Sequence, residues 1–279
     1  MIRRKAIGII GCGNMGSALV DNLMKTGVSL TLFVFDKDKE KEKSLAKGFN
    51  LRVFDSVASL ASRSDCIIIA VKPQDIDDVL SQLAGISGKL IISIAAGITL
   101  DYLGSIVGDN SAIVRAMPNL NALIGKSVTA LSANSKVGQD DLKLAEAIFR
   151  AVGEVVFVKD TQMNVVTAVS GSGPAFVAYL LKDLGEEALE RIFIKEAVLL
   201  GIDVSTAEVL AKQTILGTKQ MLKINFDAGI IIKRVSSKGG TTEAGMKVLE
   251  ENGKTEDALS EAIRAAYNRA GELSRNTPR

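Results

Sequence analysis

The chain has 279 residues, of which 47% are hydrophobic and 24% charged, and its formal net charge is +2. This length allows two domains, and a balanced charge without a long basic block gives no support to nucleic-acid or membrane-surface binding. The chain contains no histidine, which excludes Ser-His-Asp and Cys-His catalysis and most catalytic zinc sites.

The chain has two cysteines, Cys12 and Cys66, and both fall in apolar segments. They indicate small core side chains in a reducing compartment rather than a disulfide framework or a zinc site. The basic start of the chain is followed by an apolar stretch that Gly11 interrupts, so we expect no signal peptide. The longest apolar runs are far shorter than the roughly 18 residues of a membrane span. We therefore expect a cytoplasmic protein, and no metal site.

The N-terminal segment carries a glycine pattern that is typical of dinucleotide binding. The apolar run 6–10 is followed by Gly11-x-Gly13-x-x-Gly16 and then by an amphipathic stretch. In such a strand–turn–helix unit the first glycine permits the tight turn. The second lets the backbone approach the phosphates, and the third lets helix and strand pack closely. The helix N-terminus then favours the negative charge of a pyrophosphate.

The second predicted strand, 30–35, is followed by Asp36, which lies twenty residues after Gly16. The dinucleotide fingerprint has its ribose-binding acid at this position. A carboxylate there accepts hydrogen bonds from the ribose 2′-hydroxyl and repels a 2′-phosphate, so Asp36 favours NADH over NADPH. Lys37 and Lys39 oppose this preference, because they could neutralise such a phosphate.

Short apolar runs alternate with helical segments up to about residue 160. The central runs, 66–71 and 90–94, are continuously apolar, which is typical of strands buried on both faces of a parallel sheet. We therefore predict an α/β protein whose N-terminal domain, residues 1–160, is a Rossmann-type doubly wound sheet. The predicted strands are 5–10, 30–35, 51–54, 66–71, 90–94, 112–116, 127–132 and 154–158, and the predicted helices lie near 15–26, 38–47, 57–63, 75–84, 99–107 and 138–151.

Strand signals disappear from about Thr161 onward. Helical periodicity runs through 162–200, 205–223 and 254–275, with shorter helices between. Residues 161–279 are therefore predicted to form an all-α C-terminal domain. Such a domain would contribute a substrate site, a dimer interface or both.

Ligands of parallel sheets bind beyond the carboxyl ends of the strands. The 66–71 strand is followed by Lys72-Pro73-Gln74, the 90–94 strand by Ala95-Ala96-Gly97, and the 112–116 strand leads into RAMPN at 115–119. The small residues of the second segment would let a cofactor lie against the backbone. Each segment alone also fits an ordinary turn, but their coincidence at successive strand ends favours a shared ligand site.

Two glycine-rich segments interrupt the helical half. Ser170-Gly-Ser-Gly-Pro174 precedes a long apolar helix, with the proline at a plausible first-turn position. Later, Gly239-Gly240 is followed by two threonines and Glu243, a pattern that indicates a helix N-terminus with free N–H groups and hydroxyl donors. Such a terminus can bind a carboxylate, and it fits a capping turn between two helices equally well.

These motifs together resemble the pyrroline-5-carboxylate reductase family. They occur in the family's order and span nearly the whole chain, and SGSGPAF with GGTTEAG is the specific pair. The matching segments are IGCGNMGSAL at 10–19, AVKPQ at 70–74, SIAAGI at 93–98, RAMPN at 115–119, AVSGSGPAF at 168–176 and GGTTEAG at 239–245.

The resemblance implies NAD(P)H-dependent reduction of 1-pyrroline-5-carboxylate to L-proline, the last step of proline biosynthesis, by a homodimer or an assembly of dimers. The missing histidine fits, because an imine can be protonated before it binds and positioning then does most of the work. By family analogy Thr242 is the catalytic residue and hydrogen-bonds the ring nitrogen. The substrate-binding residues would be Ser237, Gly239, Gly240, Thr241 and Thr242, and the cofactor-binding residues Gly11, Cys12, Gly13, Asn14, Met15, Gly16, Asp36, Ala70, Val71, Lys72, Pro73, Ala95, Ala96 and Gly97.

The chain departs from the family pattern in three places. Lys238 replaces a common proline, which brings a cation close to the implied carboxylate site. Leu120-Asn121 replaces a common Thr-Pro, which removes a hydroxyl expected near the cofactor. The segment 185–195 is several residues longer than usual, and its charges fit either a solvated helix face or an altered dimer contact.

Two other functions fit parts of the pattern. The first is a related reductase of the same build that acts on another small imine or a 3-hydroxy acid. Hydroxy-acid dehydrogenases of this build usually carry a lysine in the long helix to protonate the carbonyl oxygen; Lys182 is the candidate, but SGSGPAF and GGTT argue against that class. A non-catalytic cofactor-binding paralogue would fit Lys238 and Leu120, although all three cofactor glycines are intact.

Overall fold

The computed structural model describes residues 5–26, 30–224 and 226–275. The strands in these ranges are β1 (Ala6–Ile10), β2 (Thr31–Phe35), β3 (Arg52–Val53), β4 (Cys66–Ile69), β5 (Leu90–Ser93), β6 (Ala112–Met117), β7 (Ser127–Ala133) and β8 (Gly153–Phe157). The helices are α1 (Asn14–Lys25), α2 (Lys39–Phe49), α3 (Val57–Arg63), α4 (Ile76–Ser81), α5 (Leu100–Val107), α6 (Gln139–Arg150), α7 (Met163–Val166), α8 (Gly173–Leu184), α9 (Glu186–Leu199), α10 (Val204–Lys223), α11 (Ala228–Val235), α12 (Thr241–Asn252) and α13 (Glu256–Arg275).

The sheet has the strand order β3-β2-β1-β4-β5-β6-β7-β8. The pairs from β3 to β6 are parallel, and Ile9 of β1 pairs with Val34 of β2 on one side and Ile68 of β4 on the other. The order 3-2-1-4-5-6 is that of a dinucleotide-binding sheet, and its direction reverses between β1 and β4. The predicted Rossmann-type fold is confirmed, and each of the eight predicted strands is present.

The continuously apolar strands form the core that the sequence indicated. All four residues of β4 and all four of β5 are buried. The side chains of Ile67, Ile69 and Ile91 pack in one cluster with residues of α3, α4 and α5. Because helices cover both faces of the sheet here, neither strand has a side that faces solvent.

The chain folds into two compact units. The first contains residues up to Ala116 together with Leu131–Val152, and the second contains Met117–Ala130 and residues from Gly153 onward. By contacts, β8 therefore groups with the helices that follow it. The boundary placed at residue 160 from the sequence stays a prediction.

The helical stretch predicted over 162–200 is interrupted twice. After α7, residues Thr167–Gly171 form a π-helical turn, in which the N–H of Ser172 donates to the carbonyl oxygen of Thr167 at 2.8 Å. Between α8 and α9 the chain turns at Gly185, whose φ is +77°. The spacing of apolar residues did not indicate either interruption, because buried apolar side chains continue on both sides of each one.

The stretch Asp160–Leu184 is long and apolar enough, by length and composition, to cross a membrane. Of its most apolar window, 72% is buried inside the protein. Core packing therefore explains its apolar character.

Glycine brings α12 into close contact with its neighbours. A Cβ atom on Gly245 would lie 2.4 Å from Cζ of Phe176 in α8 and 2.8 Å from the carbonyl oxygen of Ala262 in α13. These distances are shorter than non-bonded carbon atoms tolerate, so the position requires glycine. The contact fixes α12, and with it the residues at its N-terminus.

We expect Gly245→Ala to lower the free energy of unfolding by about 1–3 kcal/mol, because the added methyl group must displace Phe176 or the α13 backbone. Gly271→Ala is the matched control in the same unit. Apart from the two chain neighbours and the backbone of the same helix, none of the described residues has an atom within 4 Å of a Cβ at Gly271. This control should be neutral or stabilising, because alanine favours a helix. Chemical denaturation of both variants measures the difference, and equal stabilities would contradict the packing argument.

Candidate active site

The turn after β1 places its three glycines in distinct positions. Gly11 has φ of +105°, and a Cβ atom there would lie 2.6 Å from the carbonyl oxygen of Ala70. A Cβ on Gly16 would lie 1.9 Å from the carbonyl oxygen of Gly11, so α1 can start this close to β1 only without a side chain at that position. Among the described residues, none has an atom within 4 Å of a Cβ at Gly13, which is exposed. The turn therefore presents bare backbone to an open groove, which fits a bound pyrophosphate.

A cavity of about 700 Å³ opens where the strand order reverses. Its walls come from the carboxyl ends of β1, β2 and β4 and from α4, the position at which doubly wound sheets bind ligands. The lining residues are Ile10, Gly11, Gly13, Phe35, Asp36, Lys37, Lys41, Val57, Ala70, Val71, Lys72, Asp75, Asp78, Val79, Ser81 and Gln82.

Asp36 links the ends of β1 and β2. Its carboxylate accepts hydrogen bonds from the backbone N–H of Cys12 at 2.5 Å and from the N–H of Asp38 at 2.8 Å. The N–H of Asp36 itself donates to the buried carboxylate of Glu42 at 2.9 Å. The acid is thus held at the rim of the cavity by the backbone, which is where a ribose-binding carboxylate belongs.

Three lysines near Asp36 each pair with a carboxylate. Lys37 bonds Asp75 across the cavity. Lys39 bonds Glu42 at 3.0 Å, and Lys41 bonds Asp38 at 3.0 Å. The hydrogen bond with Asp75 raises the pKa of Lys37, and the hydrogen bond with Asp38 raises the pKa of Lys41. The positive charge that could attract a 2′-phosphate is therefore already matched by local acids.

The Cys12 thiol is buried within the glycine turn. Burial, followed by the charges of Asp36 and Glu42, raises its pKa to about 12. A thiol with this pKa stays protonated at neutral pH, so it is not a nucleophile. The role that fits Cys12 is to fill the turn while its backbone N–H holds Asp36.

Six of the cofactor-binding residues implied by the resemblance meet in the cavity: Gly11, Gly13, Asp36, Ala70, Val71 and Lys72. The other eight do not line it. Gly16 is buried beneath the turn, Asn14 is exposed and Met15 half-buried at the start of α1, and Pro73 is exposed in the 3₁₀ turn that begins after Lys72. Ala95–Gly97 follow β5, with Ala95 packed into the core.

The sequence reasoning missed the α4 side of the cavity. Asp75 and Asp78 lie there, and Asp75 pairs with Lys37. The available signal was the acidic run that starts at Asp75, two residues after the AVKP motif that follows a central strand. The contact with Lys37 spans 38 residues, and periodicity carries no information about it.

In the helical unit, the Gly239–Gly240 pair forms the turn before α12. Gly239 has φ of +69°, and a Cβ on Gly240 would lie 2.3 Å from Oγ of Ser237. The predicted helix N-terminus is thus present, and its N-cap residue, Gly240, has no side chain with which to cap the first turn. Lys238 is exposed beside it.

Two charged side chains already bond this turn. The N–H of Gly239 donates to Oε2 of Glu243 at 2.5 Å, and Nε of Arg269 donates to the carbonyl oxygen of Gly239 at 2.7 Å. Glu243 therefore places a carboxylate on one of the N–H groups expected to hold the substrate. That contact shows that the turn accepts an anionic oxygen, which the dipole of α12 favours.

Three hydroxyl groups meet at the start of α12. Oγ1 of Thr242 donates to Oγ of Ser172 at 3.1 Å, and Oγ of Ser172 lies 2.9 Å from Oγ1 of Thr241. Thr242 is only 4% exposed and Ser172 fully buried. The SGSGPAF and GGTT motifs, about 70 residues apart in sequence, thus join at Ser172, a residue that the sequence reasoning assigned no role.

The RAMPN motif ends in a structural residue. The Asn119 side-chain amide is buried, and its Nδ2 donates to Ser170 at 3.2 Å and to Thr214 at 3.4 Å. Leu120, one of the departures, packs in a cluster with Met221 and Ile231. At Asn121, the Nδ2 atom donates to the carbonyl oxygen of Thr214 at 3.1 Å. The Leu120-Asn121 departure therefore serves the helical core.

The charges of the 185–195 segment pair with neighbouring helices. Glu186 bonds Lys219 of α10, and Glu190 lies 3.8 Å from Lys212 of the same helix. Arg191 bonds Glu256 of α13 at 2.6 Å. These contacts give Glu186, Glu190 and Arg191 partners within one chain, although each contact is worth little to stability.

Comparison with known proteins gives consistent matches over the whole chain. A family model described as pyrroline-5-carboxylate reductase dimerisation matches residues 160–273, and one described as NADP oxidoreductase, coenzyme F420-dependent, matches residues 6–97. A pyrroline-5-carboxylate reductase of Synechocystis is 41% identical over 273 residues, covering 96% of this chain and 98% of the relative. The pyrroline-5-carboxylate reductase of Methanosarcina acetivorans is 35% identical, and the match covers 98% of this chain and 100% of the relative.

Solved structures agree with these matches. A pyrroline-5-carboxylate reductase from Coxiella burnetii superposes with a TM-score of 0.68 at 34% identity, covering 98% of this chain and 99% of that one. The pyrroline carboxylate reductase of Plasmodium falciparum with NADP bound superposes with a TM-score of 0.66 at 29% identity, and the match covers 97% of this chain and 98% of that one. With a full-length relative at 41% identity, this chain belongs to the pyrroline-5-carboxylate reductase family.

Proposed function

We propose that this chain reduces 1-pyrroline-5-carboxylate to L-proline with a reduced nicotinamide dinucleotide, the last step of proline biosynthesis. The observation that carries the proposal is the combination of a full-length family match with a buried threonine hydroxyl at the start of α12. A reduced nicotinamide dinucleotide held in the cavity would supply a hydride to the imine carbon. Starting from the protonated imine, the formation of L-proline with its ring ammonium also consumes one proton, which ends on the ring nitrogen.

The residues around the cavity suit a dinucleotide. Gly13 offers exposed backbone to the pyrophosphate, and Asp36 offers a carboxylate to the adenosine ribose. Val71 and Lys72 follow β4 on the other side of the switch point. Asn14, Met15, Pro73 and Ala95–Gly97 remain proposed cofactor contacts on the family resemblance alone.

NADH is the proposed preferred cofactor. The carboxylate of Asp36 repels a 2′-phosphate, while the three nearby lysines are paired with acids. The relative from Plasmodium falciparum was solved with NADP, so at least one member of the family binds the phosphorylated dinucleotide. The preference proposed for this chain depends on Asp36.

The proposed substrate site lies at the start of α12. The N–H groups of the Gly239–Thr242 turn would hold the substrate carboxylate, with Ser237 beside them, and Thr242 would hydrogen-bond the ring nitrogen. The carboxylate of Glu243 already occupies the N–H of Gly239, so a bound substrate would displace it or use the N–H groups that follow. Lys238, exposed on the same turn, would attract the anionic substrate.

We also propose a homodimer in the cytoplasm. The family model that matches residues 160–273 is one for dimerisation, and this half exposes several large apolar side chains that a second copy would cover. They are Val198, Leu199, Val204, Val209, Leu216, Ile224 and Ile230. The two cysteines are free and buried, as expected in a reducing compartment.

The proposal is tested by comparing substrates and cofactors. Oxidation of NADH and NADPH is followed by absorbance with 1-pyrroline-5-carboxylate, a six-membered piperideine carboxylate and a 3-oxo acid. We expect rapid turnover of the five-membered imine. Preference for the 3-oxo acid would indicate a hydroxy-acid reductase, for which Lys182 is poorly placed. It is exposed, and it lies ten residues, or about 15 Å, along α8 from Ser172. Cofactor binding without turnover of any substrate would indicate a non-catalytic paralogue.

Thr242→Ala should lower kcat by about 100-fold, because it removes the hydroxyl proposed to bind the ring nitrogen. The Kd for NADH should stay the same, since Thr242 is not in the cofactor cavity. Thr242→Ser keeps the hydroxyl and is the matched control. Unchanged turnover in Thr242→Ala would remove this residue from the mechanism.

Asp36→Ser should shift the ratio of kcat/KM values for NADH and NADPH by about tenfold or more toward NADPH, because one negative charge is lost beside the ribose. Glu40→Ser removes the same charge from an exposed side chain of the same segment and should leave the ratio near that of the parent chain. An equal shift in both variants would assign the preference to general charge, and no shift in either would show that another residue selects the cofactor.

A further inference from the structure

The three-hydroxyl cluster of Ser172, Thr241 and Thr242 extends from the buried interior toward solvent. Thr242 is 4% exposed and Ser172 0% exposed, whereas Thr241 is partly exposed. The two distances from Ser172, 3.1 Å to Thr242 and 2.9 Å to Thr241, are both within hydrogen-bonding range. The cluster is thus a continuous chain of hydroxyls whose outer member is in contact with solvent.

The backbone holds Ser172 in this chain of hydroxyls. Its N–H bonds the carbonyl oxygen of Thr167 five residues earlier, which closes the π-helical turn. The next residue, Gly173, lies so close to α10 that a Cβ there would be 2.7 Å from Cγ2 of Thr214. Helical turns of this kind are rare, and they often occur at functional sites. Here the turn sets the direction in which the Ser172 hydroxyl points.

The hydrogen bonds fix the direction of the Thr242 proton. A hydroxyl group has one proton to donate and two lone pairs with which to accept. Because Thr242 donates its proton to Ser172, it has lone pairs available and no proton for a ligand. It can therefore accept a hydrogen bond from a protonated ring nitrogen, and it disfavours a ring atom that can only accept.

We infer that Ser172 is a positioning residue for imine reduction: it holds the Thr242 hydroxyl as an acceptor for the protonated substrate and connects it through Thr241 to a solvent proton. This role rests on the proposed function, since it concerns the substrate nitrogen. Nothing in the family match or in the motif itself assigns it to Ser172.

The proton balance follows from the order of the hydroxyls. When the ring carbon accepts the hydride and its two electrons, the C=N π pair becomes a lone pair on nitrogen, and the product is a neutral amine. Because this nitrogen can accept a hydrogen bond, the three hydroxyl groups then turn to the opposite direction: Thr242 gives its proton to the nitrogen, Ser172 gives its proton to Thr242, and Thr241 gives its proton to Ser172. Thr241 recovers a proton from water. One O–H bond breaks and one forms at each hydroxyl, and one proton is consumed overall.

The first test uses binding rather than turnover. L-Proline carries a ring ammonium that donates, whereas tetrahydrofuran-2-carboxylate has the same ring size and a ring oxygen that only accepts. Calorimetry gives the ratio of their Kd values in the parent chain, in Ser172→Ala and in Ser170→Ala. Ser170 is the matched control, because it is equally buried but bonds Asn119 instead.

Ser172→Ala should shift the ratio of Kd values about three- to tenfold toward the oxygen analogue, which is the value of one hydrogen bond. The Thr242 proton, released from Ser172, becomes available to the ring oxygen. Ser170→Ala should leave the ratio unchanged. The inference is overturned if Ser172→Ala does not shift the ratio, or if both variants shift it equally.

The second test removes the outer hydroxyl. Thr241→Val keeps the side-chain size, and because Ser172 is still present the ratio of Kd values should stay as in the parent chain. Turnover should fall about three- to tenfold, with the KM for NADH unchanged, since the path to a solvent proton is interrupted. Unchanged turnover in Thr241→Val would overturn the proton relay. This test does not need Ser172→Ala, so it holds even if that variant fails to fold.

Turnover of 1-pyrroline-5-carboxylate by the parent chain separates the two proposals. If the parent chain reduces the imine and Ser172→Ala behaves like it in both tests, only the role of Ser172 is overturned. If the parent chain neither binds L-proline nor reduces the imine, the proposed function fails and the role of Ser172 fails with it.

Discussion

Close approach of helix N-termini to neighbouring backbone is the constraint on which both halves of this molecule depend. In the first unit, α1 starts where the position of Gly16 leaves no room for a Cβ against the Gly11 carbonyl. In the second, Gly245 lets α12 lie against α8 and α13. A helix N-terminus carries unpaired N–H groups and a partial positive charge. The missing side chains thus position the N-termini of α1 and α12, and we propose that negative groups of the cofactor and the substrate bind there.

The chemistry that results uses dipoles and hydroxyls rather than titrating side chains. The chain has no histidine, and the thiol nearest the cofactor cavity is held protonated by burial and by neighbouring carboxylates. The charged groups near Asp36 largely cancel in pairs. An imine that is protonated in solution requires mainly orientation. We therefore propose that fixed hydroxyl and N–H groups orient it toward the hydride of a bound dinucleotide.

The sequence predicted the sheet well and the helical unit less well. Eight strands, the glycine turn and the position of Asp36 could be predicted, because buried parallel strands give continuous apolar runs and the turn has a steric signature. The π-helical turn before Ser172 and the bond from Gly239 to Glu243 could not. The first depends on which carbonyl oxygen the backbone N–H of Ser172 reaches, and the second on which N–H the Glu243 side chain reaches; composition and periodicity encode neither. The same reason hid Leu120, which looked like a lost cofactor contact and is a core residue.

The most direct measurement is a crystal structure of the protein with NADH and L-proline bound. The account predicts that the ring heteroatom of the ligand lies within about 2.7–3.2 Å of Thr242 Oγ1, and that the ligand carboxylate lies on the N–H groups of the Gly239–Thr242 turn. A ligand whose ring contacts other residues, or whose carboxylate is bound away from the start of α12, would contradict the account.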